Sequence, residues 1–394
     1  MSKIFFFILI FAELYLGGLK IYGIISVRVP LILLSCVLIF SLPKPKIHSF
    51  NILKLSFSFA FCYLLSVIFD NYADINIFLN EFFISRFAFT FIICTVSIVL
   101  IPKYISIRQA IDILILILSF NVIILICQYH NFDNIWQITN FFTSNKIDDS
   151  YSIHQLEKYN NIRGITGTVY SGYLIVTLFP LILLKLRYGK TKIIWWGSLI
   201  VVLYTSYILG QRGAFYLVLL NLFYFFFYSS DQRSMSRIFK ILVVIIIILF
   251  FGYDILESIS DTRFVNNDIS SRLIIAISSL NFIIDNPIFG GLSSYYRYAD
   301  ITSHNLFLNA WIWGGFLGFI VIVLVVFKIF KKGFKTLFSI SSKNNFNYIL
   351  YLVLINLIFL SFSHNSGIVT GDILTNLFIT LIIIYESNDK MLNV

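Results

Sequence analysis

Charge is what this chain has least of. Asp, Glu, Lys and Arg make up 12% of its 394 residues, while 59% are apolar and the mean hydropathy is +0.89. A water-soluble domain carries about twice that share of charge. So little polar surface excludes a soluble globular fold and makes the bilayer the natural solvent. Cysteine is nearly as scarce. Cys36, Cys62, Cys94 and Cys127 fall inside or beside apolar runs, and no pair has a metal-ligand spacing. They read as small packing residues. The five histidines include no His-x-x-x-His, and Asp148-Asp149 is a bare acidic pair. No Walker sequence or dinucleotide fingerprint is present. Metal, nucleotide and other cofactor chemistry have no visible ligands, so any reaction must run on a substrate that is already activated.

Long apolar runs are what the chain has most of. A run of about 17–25 residues crosses a hydrocarbon core some 30 Å thick. Such runs predict spans near 4–22, 27–42, 52–69, 83–102, 108–128, 165–185, 193–210, 212–229, 238–253, 305–328, 347–363 and 371–385. The expected fold is an all-α polytopic membrane protein with about 12 transmembrane helices, forming one domain over 1–394. No small-residue cleavage site follows the first run, so it is expected to be a span and not a cleaved signal.

The net charge of +10 is not that of a nucleic-acid binder. Basic residues sit in short clusters between spans, as at Lys185, Arg187, Lys190 and Lys192. With the N-terminus cytoplasmic, roughly two thirds of the Lys and Arg fall on the cytoplasmic side. Both termini are then cytoplasmic. Asp148, Asp149, Glu157, Asp254, Glu257, Asp261, Asp268, Asp285 and Asp300 all fall outside. Two outside loops are long, 129–164 and 254–304, and loops of that length are usually functional or disordered. The second contains Ser271–Ile284, apolar at Leu273, Ile274, Ile277, Leu280 and Ile284. That spacing predicts an amphipathic helix lying on the membrane or on the bundle.

A few arginines stay on the outside against the general bias. Arg163 precedes a span, Arg212 sits in a tight turn between two spans, and Arg272 opens the amphipathic segment. Arginine holds its charge at any pH and donates two parallel hydrogen bonds, which suits phosphate. Singly, each could equally snorkel to lipid head groups or pair with a loop carboxylate. As a set on one side they point to a pyrophosphate. Thr302-Ser303-His304-Asn305 enters a span and is followed by Trp311, Trp313, Gly314, Gly315 and Gly318. An imidazole there could exchange a proton near neutral pH, although a lone histidine is more often structural. The glycines would let a neighbouring helix approach closely. A second Ser-His-Asn, Ser363-His364-Asn365, ends a later span on the same side.

These pieces resemble the O-antigen polymerase and O-antigen ligase superfamily of bacterial envelope enzymes. The resemblance rests on Asn161-Ile162-Arg163-Gly164, on Gln211-Arg212-Gly213-Ala214, on Ser271-Arg272 leading to Asn286-Pro287-Ile288-Phe289-Gly290-Gly291, and on Ser303-His304-Asn305 with the glycines after it. It covers roughly residues 160–330; Gln211 departs from the usual small or hydroxyl residue. It implies a metal-independent glycosyltransferase in the bacterial inner membrane, acting at the periplasmic face on undecaprenyl-pyrophosphate-linked oligosaccharides. By that likeness His304, Arg212 and Arg272 would be catalytic, and Arg163, Arg212, Arg272, Asn305 and His364 would bind pyrophosphate or sugar. Membrane lipid, a chain-length regulator and a flippase of the same pathway would be its partners, with no nucleic acid. Polymerase is preferred to ligase because the chain lacks extra basic residues for gripping a lipid A core. A flippase or transporter is the rival from another class, but it would need midplane polar residues and broken helices. Few charges lie in these spans, Glu13 being the clearest. A cell-wall polymerase using a loop carboxylate is a closer rival.

Overall fold

The computed structural model describes residues 2–16, 20–21, 25–26, 33, 51–70, 97, 100, 104–142, 162, 164–165, 167–228, 268–299, 303, 305–338, 345–362, 377–378 and 380–384. Within them the chain is helical apart from one two-residue antiparallel ladder. In chain order come α1 (Ser2–Phe11, continued by a π turn Ala12–Leu16), β1 (Lys20–Ile21) and β2 (Ile25–Ser26). Then follow α2 (Asn51–Phe69), α3 (Ile107–Tyr129), α4 (Ile135–Phe142), α5 (Thr168–Tyr188), α6 (Lys192–Ile208) and α7 (Arg212–Tyr228). The last four are α8 (Asp268–Asp285), α9 (Leu292–Ala299), α10 (Leu306–Phe338) and α11 (Asn345–Ser361).

Three described helices, Ile107–Tyr129, Tyr170–Tyr188 and Leu306–Lys331, are long and apolar enough to cross a membrane. This is the composition of a membrane protein. The apolar parts of α6, α7 and α11 match expected spans but are shorter. The spans expected near 27–42, 83–102 and 238–253 lie almost wholly outside the described residues. The first span is shorter than its expected 4–22. It is helical to Leu16, and by Lys20 the chain has turned into the β1–β2 ladder. The intervening Gly17-Gly18 pair has little helix propensity.

Local sequence explains several of these elements. Ser106 starts α3 with a reciprocal cap: its side chain accepts from the Gln109 N–H, and the Gln109 side chain accepts from the Ser106 N–H. α3 is apolar all round, which permits a buried side at Ile111, Leu114 and Leu118 and an exposed side at Leu116 and Ile123. α5 is the hub. Tyr173 through Val176 and Leu178, Phe179 and Leu181 are buried, and α3, α6, α7 and α11 pack around it. Pro180 lies inside it and can give no hydrogen bond to the Val176 carbonyl. Asn356, buried on α11, supplies the missing donor: its Nδ2 reaches Val176 O in a long 3.5 Å bond.

α3 and α11 run antiparallel to α5, and α2 and α11 antiparallel to α10, so helix ends meet in two layers. At one end Lys185 of α5 pairs with Asp112 of α3, and Tyr351 of α11 donates to the Phe330 carbonyl of α10 at 3.3 Å. This is the basic end, where Lys185, Arg187, Lys328 and Lys331 gather. At the other, the loop end, α3 meets the start of α5, and α11 meets the starts of α5 and α10. Gly314 and Gly318 lie against Phe59 of α2, so the close approach expected of these glycines is to that helix.

α10 is broken at Gly315, whose backbone has φ +64° and ψ −166°. An L side chain rarely adopts that φ, and a Cβ there would collide with the Ile288 carbonyl. The turn Asn286–Gly291 fills the break. Gly291 N–H donates to Ile312 O at 2.9 Å and Phe316 N–H to Ile288 O at 3.0 Å. The Trp311 indole donates to Pro287 O at 2.8 Å. Two motifs noted in the sequence, the Asn-Pro turn and the Trp-x-Trp-Gly-Gly helix, are therefore each other's partners.

Candidate functional site

The loop end carries the described neighbours of Arg163, Arg212, His304 and His364. Gly164 and Ile165 are held from α3. The Gly164 N–H donates to Gln128 Oε1 at 2.8 Å, and Gln128 Nε2 donates to Thr139 Oγ1 at 2.9 Å and to Gly164 O at 3.4 Å. Ile165 N–H reaches Asn121 Oδ1 at 3.4 Å. Gln128 and Asn121 are fully buried, and a buried polar group earns its place only by such bonding. Gly164 has φ +63°, and a Cβ on it would strike Ser171 and Asn121.

The second segment is the α6–α7 turn. Gly210 takes φ +66°, and the buried Gln211 side chain lies so close to Gly172 of α5 that a Cβ has no room. This gives Gln211, the departure from the family pattern, a packing role: it seats the start of α7 on the first turns of α5. The third segment begins α10. Asn305 Oδ1 accepts from the N–H groups of Phe307 and Leu308 at 2.9 and 3.2 Å, an N-cap. Asn309 Nδ2 donates to Ser303 O at 2.7 Å. The backbone is thus pinned on both sides of position 304. The fourth segment ends α11, where Tyr173 of α5 donates to Ser361 Oγ at 3.4 Å and Phe362 packs on Phe307 with ring centroids 5.3 Å apart.

The fifth piece is the part of the large loop formed by α8 and α9. α8 packs through Ser279, Phe282 and Ile283. Ser279 and Tyr295 share a 2.8 Å hydrogen bond. Burial pushes the Tyr295 hydroxyl up from its ordinary value, against the opposing pull of Ser279, so it stays neutral in this contact. Asp70, at the end of α2, accepts from the Ser293 and Ser294 N–H groups at 2.9 and 3.3 Å. A carboxylate at a helix start is favoured by the free N–H groups there, and this one ties the large loop to α2.

Of the expected site residues, Arg163, His304 and His364 lie outside the described residues. Arg212 opens α7 and Arg272 lies in the first turns of α8, but their side chains are outside them as well. Asn305 is described, and its side-chain oxygen is engaged in capping α10. What the structure does bring together are the neighbours of these residues: Ile162 and Gly164, Gln211, Ser303 and Asn305, and Ser361 and Phe362. Among the described residues no three His, Cys, Asp or Glu side chains come close enough to hold a metal ion. Reading the sequence missed Asn121, Gln128, Thr139, Asp70 and Asn356. The signal was there for three of them, since Asn121, Gln128 and Asn356 are amides inside apolar runs, where a polar side chain is costly without a partner. No protein-family model matches the chain, and no curated protein matches it.

Proposed function

We propose that this chain is a glycosyltransferase that joins undecaprenyl-pyrophosphate-linked oligosaccharide repeats into a surface polysaccharide, at the periplasmic face of a bacterial inner membrane. One observation carries the reading. The chain flanking Arg163, Arg212, His304 and His364 converges at one end of the bundle, around the start of α5. That end is opposite the basic end, which the positive-inside bias assigns to the cytoplasm.

In this scheme Arg163, Arg212 and Arg272 grip pyrophosphate through paired hydrogen bonds. Their charge stabilises the departing pyrophosphate as the glycosidic bond breaks. His304 orients the acceptor hydroxyl or takes its proton as the new bond forms.

The deciding experiment is a surface-polysaccharide gel from a strain lacking the gene, with and without a plasmid copy. Polymerase activity predicts a core bearing one repeat unit in the deletion, and a ladder restored by the plasmid. Bare core with accumulated lipid-linked polymer would make the chain the ligase. An unchanged ladder would overturn the reading and bring a transporter forward. Arg212→Ala and Arg272→Ala are expected to abolish the ladder while the protein still inserts. Lysine at either position should rescue poorly because the two-bond geometry is lost. Normal polymer in both alanine variants removes the pyrophosphate grip.

A further inference from the structure

The sequence leaves open whether the apolar stripe of α8 faces the bundle or the membrane. The structure uses the opposite face for packing. Ser279, Phe282 and Ile283 are buried, while Ile277 is 48% exposed, Leu280 48% and Ile284 72%. Ile288, in the turn that follows, is 65% exposed. A stripe of this kind needs a cover.

Three observations identify the cover as acyl chains. The first is depth. The turn is hydrogen-bonded to Phe316 of α10. At about 1.5 Å per residue, Phe316 to Lys331 rises about 22 Å, less than the roughly 30 Å of hydrocarbon. With Lys331 at the basic boundary, Phe316 and its partner Ile288 lie below the opposite surface, and any tilt of α10 takes them deeper. The second is continuity. Phe289 stacks on Phe69 of α2 with centroids 4.1 Å apart, and Phe69, Phe289, Ile288 and Phe316 are all exposed. One apolar belt therefore runs from α2 through the turn to a membrane-spanning helix. The third is the backbone of the turn. A non-helical segment at membrane depth must satisfy its polar groups within the protein. Here the carbonyls of Asn286, Pro287 and Ile288 accept from Gly290, Trp311 and Phe316, and the N–H groups of Asn286 and Gly291 donate to Phe282 and Ile312. Beside the stripe run Ser278, Asn281 and Asp285, at positions that share the next sector of the helix. That is the polar edge an interfacial helix turns toward water.

We propose that α8 and its following turn form a membrane-immersed wedge, with Ile277, Leu280, Ile284 and Ile288 packed against the acyl chains of the leaflet at the loop end. The inference concerns where the loop sits and does not depend on the reaction proposed above. The large loop is then a re-entrant element plugged into the gap in α10.

Nitroxide labels on single cysteines in the full chain, with the four native cysteines replaced and the protein in lipid nanodiscs, test this directly. At Ile277 and Ile284 the ratio of oxygen to nickel-chelate accessibility should exceed that at Asp285 by roughly threefold or more, as for a helix with one side in lipid. Equal chelate access at all three positions would make the stripe water-facing and overturn the proposal. Exclusion of both reagents at Ile277 and Ile284, with label–label broadening, would make the cover a second copy and also overturn it. The unaltered chain gives a second readout through lipids carrying a photoactivatable group on the acyl chain. Adducts are expected within 274–288. Labelling of α3 and α10 without any in that stretch would refute the wedge.

Discussion

Two helices of this bundle, α5 and α10, are interrupted, and they are repaired in different ways. In α5 the interruption is chemical. Pro180 lacks a donor, the helix continues, and one amide from α11 covers the stranded Val176 carbonyl. In α10 it is conformational. Gly315 leaves the helical region, and a turn from the large loop covers the exposed groups with its own backbone. A missing donor inside a close-packed hub can be answered by one side chain. A change in chain direction exposes several groups at once, so only another segment of backbone can answer it. The first repair fixes two helices to each other. The second fixes a loop to a helix, and with it the loop end of the molecule.

The largest effect expected from this contrast is at Gly315. Gly315→Ala places a Cβ against the Ile288 carbonyl at a positive φ. Its cost should be about 3 kcal/mol or more, the sum of strain and lost turn contacts. Thermal unfolding in detergent, followed by the reaction of buried Cys62 with a thiol dye, would show it as a fall in midpoint. By contrast, Pro180→Ala returns the donor to α5 and should change the midpoint little. If the two substitutions cost the same, the distinction between the repairs collapses.

Next in size is Asn356→Leu, which strands the Val176 carbonyl and should cost about 1–2 kcal/mol. The same substitution in a Pro180→Ala background should cost clearly less, because the helix then covers that carbonyl itself. Strict additivity of the two would show that Asn356 does something other than the repair. Smaller than that of Asn356→Leu is the effect of Trp311→Phe. It keeps the ring but loses the bond to Pro287 O, for about 1 kcal/mol. Its signature is local: faster hydrogen exchange at Gly291 and Phe316, with α5 unchanged. Equal acceleration in both helices would mean that the turn and the hub are not separate units.

Membrane character was plain in the composition, because burial in lipid demands long apolar runs whatever the tertiary arrangement. The positions of α3 and α5 and the start of α10 followed from those runs to within a few residues, while α10 continues to Phe338, beyond its expected end at 328. The sequence also singled out Asn286–Gly291 and Trp311–Gly318, although not that one fills a gap in the other. Each motif is a short string whose meaning depends on a partner more than twenty residues away. The stripe of α8 was legible as amphipathic, but not which way it faced. Periodicity defines a face without naming its neighbour. Asp70 was invisible as a cap of α9 because its partners, Ser293 and Ser294, lie more than two hundred residues further along the chain.

By itself the sequence determined the solvent, the approximate helices and the segments on which polar function could sit. All three depend on local composition and period. The tertiary structure decided that Gln128, Gln211 and Ser361 gather around the start of α5, and that the break at Gly315 is closed by the large loop. These are long-range pairings. Those of Gln128, Ser361 and the turn at Gly315 are fixed by which buried polar groups must find partners once the helices exclude water, and that of Gln211 by close packing on Gly172.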